Sequence, residues 1–210
     1  MRRLNEILPA SCIAMELAID TQVAREASTA GRSLARHALA LLGSSDAASI
    51  IGRDPRGAPL WPPNCVGSIS HTKKRVIVAV AHAQDYSSLG IDVEEDGRAL
   101  PLRLAQRIAT DSERAWIMDC DDEVLESVRL RLLALASAKE SIFKALWPLH
   151  HVELGFTDAR LTRVPGGFSA TITNDKVVTG NSEHATLEIT LLRSRSALYT
   201  ATRIRALQIP

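Results

Sequence analysis

The chain has 210 residues, 46% of them hydrophobic, and its 25 lysines and arginines balance 24 aspartates and glutamates to a formal net charge of +1. This near-neutral balance argues against a general nucleic-acid binder, because such proteins need an excess of basic side chains for phosphate contacts. The length and apolar content suffice to bury a core, either in one domain or in two small halves packed together.

The first twenty residues contain no clear signal peptide, because Glu6 and Glu16 interrupt their apolar residues. No later stretch approaches the roughly 18 consecutive apolar residues of a membrane span. The three cysteines are widely spaced and odd in number, which fits no zinc site and no disulfide framework. We therefore expect a cytoplasmic protein with neither a membrane nor a nucleic acid as partner.

The first half of the chain predicts one helix and three strands. Residues 21–42 are rich in Ala and Leu at helical spacing, and Gly43 is a suitable stop. The prolines and glycines of 52–64 predict a loop. Apolar runs then predict strands at 66–70, 75–82 and 88–94.

The second half begins near residue 100, which divides the chain into a predicted N-terminal half at 1–97 and a C-terminal half at 98–210. It predicts helices at 101–118 and 122–146, the latter ended by Pro148. Four short runs after residue 152, ARLTRV, GFSATI, LEITLL and ALYTATRIR, predict strands. The fold class is therefore α+β with two similar-sized halves.

Asp92 and Glu94 are two residues apart in the third predicted strand, so their side chains point to the same face. Two adjacent carboxylates repel each other and favour a cation between them, and an all-oxygen pair suits magnesium or manganese. Taken alone, this pair is more typical of a solvated strand end.

Glu140 and Lys144 share one face of the long predicted helix, and Lys139 precedes them. An exposed ion pair worth about 0.3–0.5 kcal/mol is the simplest interpretation of that spacing. The functional interpretation is a third metal-binding carboxylate beside a lysine that holds a phosphate.

His71 closes a predicted strand after Ser70 and begins a turn rich in hydrogen-bond donors, which can hold a phosphate. Arg25, Arg32 and Arg56 are further candidate phosphate ligands. Arg56 is the best placed of the three, because the stiff segment GAPLWPP follows it.

Four segments in order carry a family resemblance. They are GAPLWP at 57–62, GSISHT at 67–72, GIDVE at 90–94 and SAKESIFKAL at 137–146. Together they resemble the 4′-phosphopantetheinyl transferase superfamily, and most of all the branch of enterobactin synthase component D. The similarity covers about residues 25–150.

This resemblance implies two pseudo-symmetric halves with coenzyme A in the cleft between them. It implies that magnesium, or manganese, is held against the coenzyme A diphosphate by Asp92, Glu94 and Glu140. It places Lys139 and Lys144 near the phosphates. The residues that it places toward the 3′-phosphoadenosine end are Arg25, Arg32, Arg56, Ser70 and His71.

The implied activity is magnesium-dependent transfer of 4′-phosphopantetheine from coenzyme A to a serine of an apo acyl, peptidyl or aryl carrier protein, releasing 3′,5′-bisphosphoadenosine. The implied setting is siderophore, nonribosomal peptide or polyketide synthesis by a monomer. Glu140 is the candidate base, although the residues do not separate it from Glu94 or a metal-bound water, and Lys144 is the second catalytic residue.

Two alternatives use the same residues. A metal-dependent coenzyme A or nucleotide diphosphate hydrolase would attack with water instead of serine. An inactive module would bind carrier proteins without turnover, but the complete set of Asp92, Glu94, Glu140 and Lys144 argues against it.

Overall fold

The computed structural model describes residues 4–21, 23–119, 121–177 and 185–206. The predicted free thiol of Cys120 lies outside these residues. Across the part of the chain that is described, no helix combines the length and the apolar character needed to cross a membrane.

The first half forms a three-stranded antiparallel sheet with one long helix packed on it. After a 3₁₀ turn at Leu4–Glu6, its elements are β1 (Ile13–Ala18), α1 (Ala24–Leu42), β2 (Gly52–Arg53), β3 (Pro59–Leu60), β4 (Cys65–His71) and β5 (Arg75–His82). The sheet has the order β1-β5-β4, and β2 and β3 form a separate small hairpin.

The second half forms a five-stranded antiparallel sheet covered by a long helix. Its elements are β6 (Tyr86–Glu95), α2 (Ala105–Ile108), α3 (Asp111–Asp119), α4 (Val128–His150), β7 (Ala159–Val164), β8 (Gly167–Ile172), β9 (Ala185–Arg193) and β10 (Ala197–Arg205), with 3₁₀ turns at Leu102–Leu104 and Phe156–Asp158. The strand order is β6-β10-β9-β8-β7. The predicted α+β class is confirmed.

The strand β6 joins the two sheets. It pairs along its length with β10 of the second sheet, where Asp92 lies opposite Thr200. Toward the first sheet, the Ile91 backbone N–H donates to Ser68 Oγ at 3.0 Å. The division of the chain at residue 97 stays a prediction, and it assigns to the N-terminal half a strand that is hydrogen-bonded to the C-terminal sheet.

The helix α1 begins and ends close to the prediction. Its buried face carries Ala35, Ala38 and Leu39, which pack on the first sheet. Gly43 has a φ of 81° and donates its N–H to the carbonyls of Leu39 and Ala40, which ends the helix.

The predicted bounds of α4 were wrong at both ends. The helix begins at Val128, where Ser127 Oγ accepts a hydrogen bond from the Leu130 N–H at 3.2 Å. It continues through Pro148, because a proline in the last turn removes only one of the final hydrogen bonds. It ends at His150, and the cap residue His151 that follows has a φ of 52°.

The backbones of β6 and α4 are in direct contact at Gly90. A Cβ atom at this position would lie 1.8 Å from the Ser141 carbonyl oxygen and 2.7 Å from the Ala145 nitrogen. Small polar side chains line the same contact, with Ser141 Oγ 2.8 Å from Thr202 Oγ1 on β10. Only glycine fits here. The strand β6, which carries the GIDVE segment, is therefore fixed against α4, the helix that carries Glu140.

A buried ion pair anchors the other side of α4. Lys139 Nζ donates to Glu113 Oε2 on α3 at 2.8 Å, and both side chains are at most 1% exposed. The same ammonium donates to the carbonyls of Ile108 and Phe156 at 2.7 and 2.8 Å. Glu113 Oε1 also accepts the Leu161 N–H of β7 at 2.7 Å. One charge pair thus joins α3, α4, β7 and two connecting segments.

The substitution Gly90→Ala should reduce the free energy of unfolding by at least about 2 kcal/mol, because the added methyl group overlaps backbone that cannot give way. Urea denaturation checks this value. The matched control is Gly97→Ala, since a Cβ atom at Gly97 has no neighbour within 4 Å. Equal stabilities for the two variants would contradict the close approach.

The substitution Lys139→Met should destabilise the protein by about 3–5 kcal/mol, because it leaves the Glu113 carboxylate buried without its cation. The control is Lys176→Met at an exposed lysine. Adding Glu113→Gln to Lys139→Met should restore part of the loss. A loss below about 1 kcal/mol in the single variant would show that the buried pair is not the anchor.

Candidate active site

The centre of the site is a fully hydrogen-bonded Asp92 carboxylate between β4, β6 and α4. Ser70 Oγ donates to its Oδ1 and Ser137 Oγ to its Oδ2, each at 2.8 Å. Lys144 Nζ donates to Asp92 Oδ1 at 2.7 Å, to Ser70 Oγ at 2.9 Å and to the Ile91 carbonyl at 3.1 Å. The lysine therefore lies against both strands at their junction.

A cavity of about 400 Å³ opens over this carboxylate, and Asp92, Glu94, Glu140 and Lys144 all line it. The structure thus brings together the four residues that the sequence singled out on two separate segments. One wall of the cavity is apolar and is formed by Leu100, Leu104, Ile108, Ala136 and Phe156.

Glu94 is held by Arg98, whose Nη1 donates to both of its carboxylate oxygens. The Glu94 side chain is 13% exposed and that of Arg98 is 53% exposed. Burial raises the pKa of the Glu94 carboxyl above its ordinary value, and the hydrogen bond from Arg98 acts in the opposite direction.

Glu140 differs from the other two carboxylates because it forms no hydrogen bond or ion pair with any residue in the described ranges. Burial raises its pKa, and the neighbouring Lys144 only partly opposes this effect. A half-buried carboxylate with both oxygens available can accept a proton or bind a cation.

The three carboxylates fit a hard divalent cation in their chemistry, since magnesium and manganese prefer oxygen ligands. Within the described residues, however, no three His, Cys, Asp or Glu side chains are already gathered in a group that could hold a metal ion. Lys144 and Arg98 instead neutralise Asp92 and Glu94. Metal binding by Asp92, Glu94 and Glu140 stays a prediction.

His71 lies exposed at the end of β4, between this cavity and a second one of about 440 Å³ that includes Lys73 and Lys74. Although the residue as a whole is exposed, partial burial of the imidazole in the site, together with the positive charge of Lys144, lowers the pKa of His71. The neutral ring is therefore favoured at neutral pH, where it can donate one hydrogen bond to an anion.

A larger cavity of about 670 Å³ lies on the other side of Glu140 and Lys144, which line both spaces. Arg56 lines it, forms an ion pair with Glu153, and has its guanidinium carbon 5.7 Å from the centre of a Trp147 ring. Trp147 Nε1 donates to Asp54 Oδ2 at 2.6 Å, which ties the loop before β3 to the end of α4.

The two other arginines lie on α1. Arg32 donates to the Ile51 carbonyl at 3.0 Å and to Ser28 Oγ at 2.8 Å, and Arg25 is exposed. Neither is among the residues that line the two cavities shared by Glu140. Their contact with a ligand stays a prediction.

The expectation that Lys139 lies near the phosphates was wrong, because its ammonium is buried against Glu113 and is 0% exposed. Consecutive side chains of a helix point about 100° apart, and here Lys139 points into the core toward Glu113 while Glu140 lines the cavity. The motif SAKES therefore joins one structural lysine to one cavity-lining glutamate.

Sequence reasoning missed two partners of the carboxylates. Ser137 belongs to the SAKES motif but was given no role, although it binds Asp92. Arg98 follows Glu94 by four residues across a turn, and no periodicity connects the two. Its charge near an acidic pair was the only signal available.

Several curated proteins are similar to this chain. The 4′-phosphopantetheinyl transferase Svp of Streptomyces mobaraensis is 42% identical over 141 residues, covering 66% of this chain and 55% of that protein. The transferase Npt of Nocardia iowensis is 40% identical over 131 residues, covering 62% and 55%. Enterobactin synthase component D of Salmonella austin is 34% identical over 139 residues, covering 63% and 52%. The chain thus matches just over half the length of these relatives.

Two family models match consecutive parts of the sequence. The 4′-phosphopantetheinyl transferase N-terminal domain matches residues 18–81, and the 4′-phosphopantetheinyl transferase superfamily matches residues 88–198. The second match alone spans more than half of the 210 residues. The chain therefore belongs to the 4′-phosphopantetheinyl transferase superfamily.

Proposed function

We propose that this chain transfers 4′-phosphopantetheine from coenzyme A to a serine hydroxyl of an apo carrier protein. The observation that carries the proposal is the convergence of Asp92, Glu94, Glu140 and Lys144 on one cavity. Membership of the superfamily supports the reaction class, and charges of both signs suit a reaction at a diphosphate.

Asp92, Glu94 and Glu140 are the residues that would hold magnesium or manganese, which when bound neutralises charge on the diphosphate and orients it. Lys144 is fixed by three acceptors before any substrate arrives. Since these acceptors use all three N–H groups, the fixed ammonium would stabilise charge on phosphate oxygens through space.

Glu140 is the residue best suited to remove the serine proton. Its carboxylate has no hydrogen-bonding partner among the described residues, whereas Asp92 and Glu94 are already occupied. Burial raises its pKa in the metal-free protein, and a bound metal would lower it again, so we assign Glu140 to proton removal directly or through an intervening water. The serine oxygen then bonds to the phosphorus that carries the pantetheine arm, and the bond to 3′,5′-bisphosphoadenosine breaks.

Coenzyme A, the donor of the phosphopantetheine group, has room on both sides of Glu140 and Lys144, since two cavities meet there. Ser70 and His71 border the smaller cavity and Arg56 the larger one. We assign these residues to the phosphates and the adenosine end of coenzyme A. For Arg56, such binding requires release from Glu153.

The acceptor serine belongs to another protein, so a docking surface is required. Arg103 and Arg107 are exposed beside the apolar wall of the smaller cavity. Arg114 is less available, because it donates to the Ala109 carbonyl and pairs with Asp111. We propose Arg103 and Arg107 as contacts for an acidic helix of the carrier protein. We also propose that the protein is a cytoplasmic monomer that acts in siderophore, nonribosomal peptide or polyketide synthesis.

The test mixes purified protein with magnesium, coenzyme A and a panel of apo carrier proteins, and measures intact mass. A gain of about 340 Da on a carrier is the expected product of one transfer. Chelation of the metal should abolish the gain, and Glu140→Gln should reduce its rate about a hundredfold or more. Glu188→Gln, at an exposed glutamate of β9, is the matched control and should retain the wild-type rate.

Other outcomes separate the alternatives. If coenzyme A is cleaved while every carrier keeps its mass, the protein is a diphosphate hydrolase. If coenzyme A remains intact but binds tightly, the protein is a binding module, and transfer is excluded for the carriers tested.

A second prediction concerns stability and pH in the absence of metal. The raised pKa of Glu140 means that folding favours the protonated acid, so the carboxylate form destabilises the folded protein above that pKa. Glu140→Gln should therefore raise the melting temperature at neutral pH by a few degrees at most, since 1 kcal/mol corresponds to about 2–4 °C at this size.

The difference should shrink as the pH falls toward the ordinary carboxyl pKa of about 4.3, where the acid is protonated in both folded and unfolded chains. Calorimetry of wild type, Glu140→Gln and Glu188→Gln across this pH range measures it. If the Glu140→Gln variant is no more stable than wild type at neutral pH, burial does not disfavour the ionised form of Glu140, and the prediction fails.

A further inference from the structure

Arg98 is a cation held in the site by a single carboxylate. Its guanidinium donates from Nη1 to both oxygens of Glu94, and its side chain has no other hydrogen bond within the described residues. It lines the cavity with Glu140 and also the neighbouring cavity with His71. Its side chain is about half exposed, so water already reaches the pair.

The other cation of the site is held very differently. Lys144 projects from α4 and donates to Ser70 Oγ, the Ile91 carbonyl and Asp92. Arg98 instead lies in the turn after β6, its side chain is 53% exposed, and Glu94 is its only side-chain partner within the described residues. Arg98 can therefore move away with the loss of one ion pair whose arginine is half exposed, whereas Lys144 must give up three hydrogen bonds to leave.

Glu94 itself is fixed while Arg98 is free to move. It lies in the paired part of β6, opposite Leu198 of β10. The turn between Glu94 and Arg98 is also anchored, because Asp96 accepts from Arg193 Nε at 2.8 Å and its N–H donates to the Ser196 carbonyl at 3.2 Å. Movement is thus confined to the arginine side chain.

We infer that Arg98 is a displaceable counter-ion that occupies Glu94 in the free protein and competes there with a divalent cation. This inference rests on the proposed function, in which Glu94 binds the metal. A guanidinium that donates to both oxygens occupies the chelating edge of Glu94, and its positive charge repels a second cation at the remaining lone pairs. The free protein therefore binds the metal weakly.

Binding of coenzyme A removes the competition between Arg98 and the metal for Glu94. Its diphosphate brings negative charge into the cavity, which offers Arg98 another anionic partner and offsets the added metal charge. Metal and coenzyme A should consequently bind with positive coupling, each raising the affinity of the other by the same factor.

The test measures Mn²⁺ affinity by isothermal titration calorimetry on the folded, donor-free protein. Arg98→Gln should bind Mn²⁺ about three- to tenfold more tightly than wild type, because it lacks both the competing bond and the repelling charge. With saturating coenzyme A the two proteins should agree within about twofold. Arg129→Gln, at an exposed arginine at the start of α4, controls for net charge and should match wild type.

Three results would overturn the inference. Equal or weaker Mn²⁺ binding by Arg98→Gln, with binding by wild type intact, would make Arg98 a structural partner of Glu94 and leave the proposed transfer untouched. An equal gain in Arg129→Gln would assign the effect to net charge. Absence of Mn²⁺ binding in all three proteins, with or without coenzyme A, would remove the metal from both proposals, and the mass assay would still decide on transfer.

Discussion

The contact between β6 and α4 at Gly90 is the constraint on which the site depends. Because the strand backbone lies directly on the helix, Asp92 and Glu94, two and four residues further along β6, reach the same cavity as Glu140 on α4. Serines and threonines between strand and helix add hydrogen bonds at the same contact. A larger residue at Gly90 would separate the two carboxylates from the third.

Two of the three carboxylates of the cavity are neutralised by cations of the protein itself. Lys144 and Arg98 neutralise Asp92 and Glu94, while Glu140 is left as the carboxylate whose ionisation burial opposes. Under the proposed function, the groups that would hold a cation and a diphosphate are the same ones that destabilise the empty protein. The buried pair of Lys139 and Glu113 supplies rigidity on the opposite side of α4.

Most of the fold could be predicted from the sequence because its elements have strong patterns. The helix α1, the strands β4, β5 and β6 and the four final strands follow from apolar periodicity and from turn residues. The strand β1 was not predicted, because its central Glu16 interrupts the apolar pattern while pairing in space with Arg75.

The role of Lys139 was not predictable either, since its partner Glu113 is 26 residues away. The family motifs identified the four cavity residues in the sequence. Only the folded structure distinguishes a lysine that faces a cavity from one that faces the core.

The position of β6 has a consequence for how the molecule moves. Its backbone pairs with β10 of one sheet, while the Ile91 N–H and the Asp92 carboxylate bind Ser68 and Ser70 of the other. A hinge between the halves would therefore have to break buried hydrogen bonds directly beneath the cavity. Under the proposed function, we therefore expect substrates to enter through adjustment of side chains such as Arg56 and Arg98, with no opening between the halves.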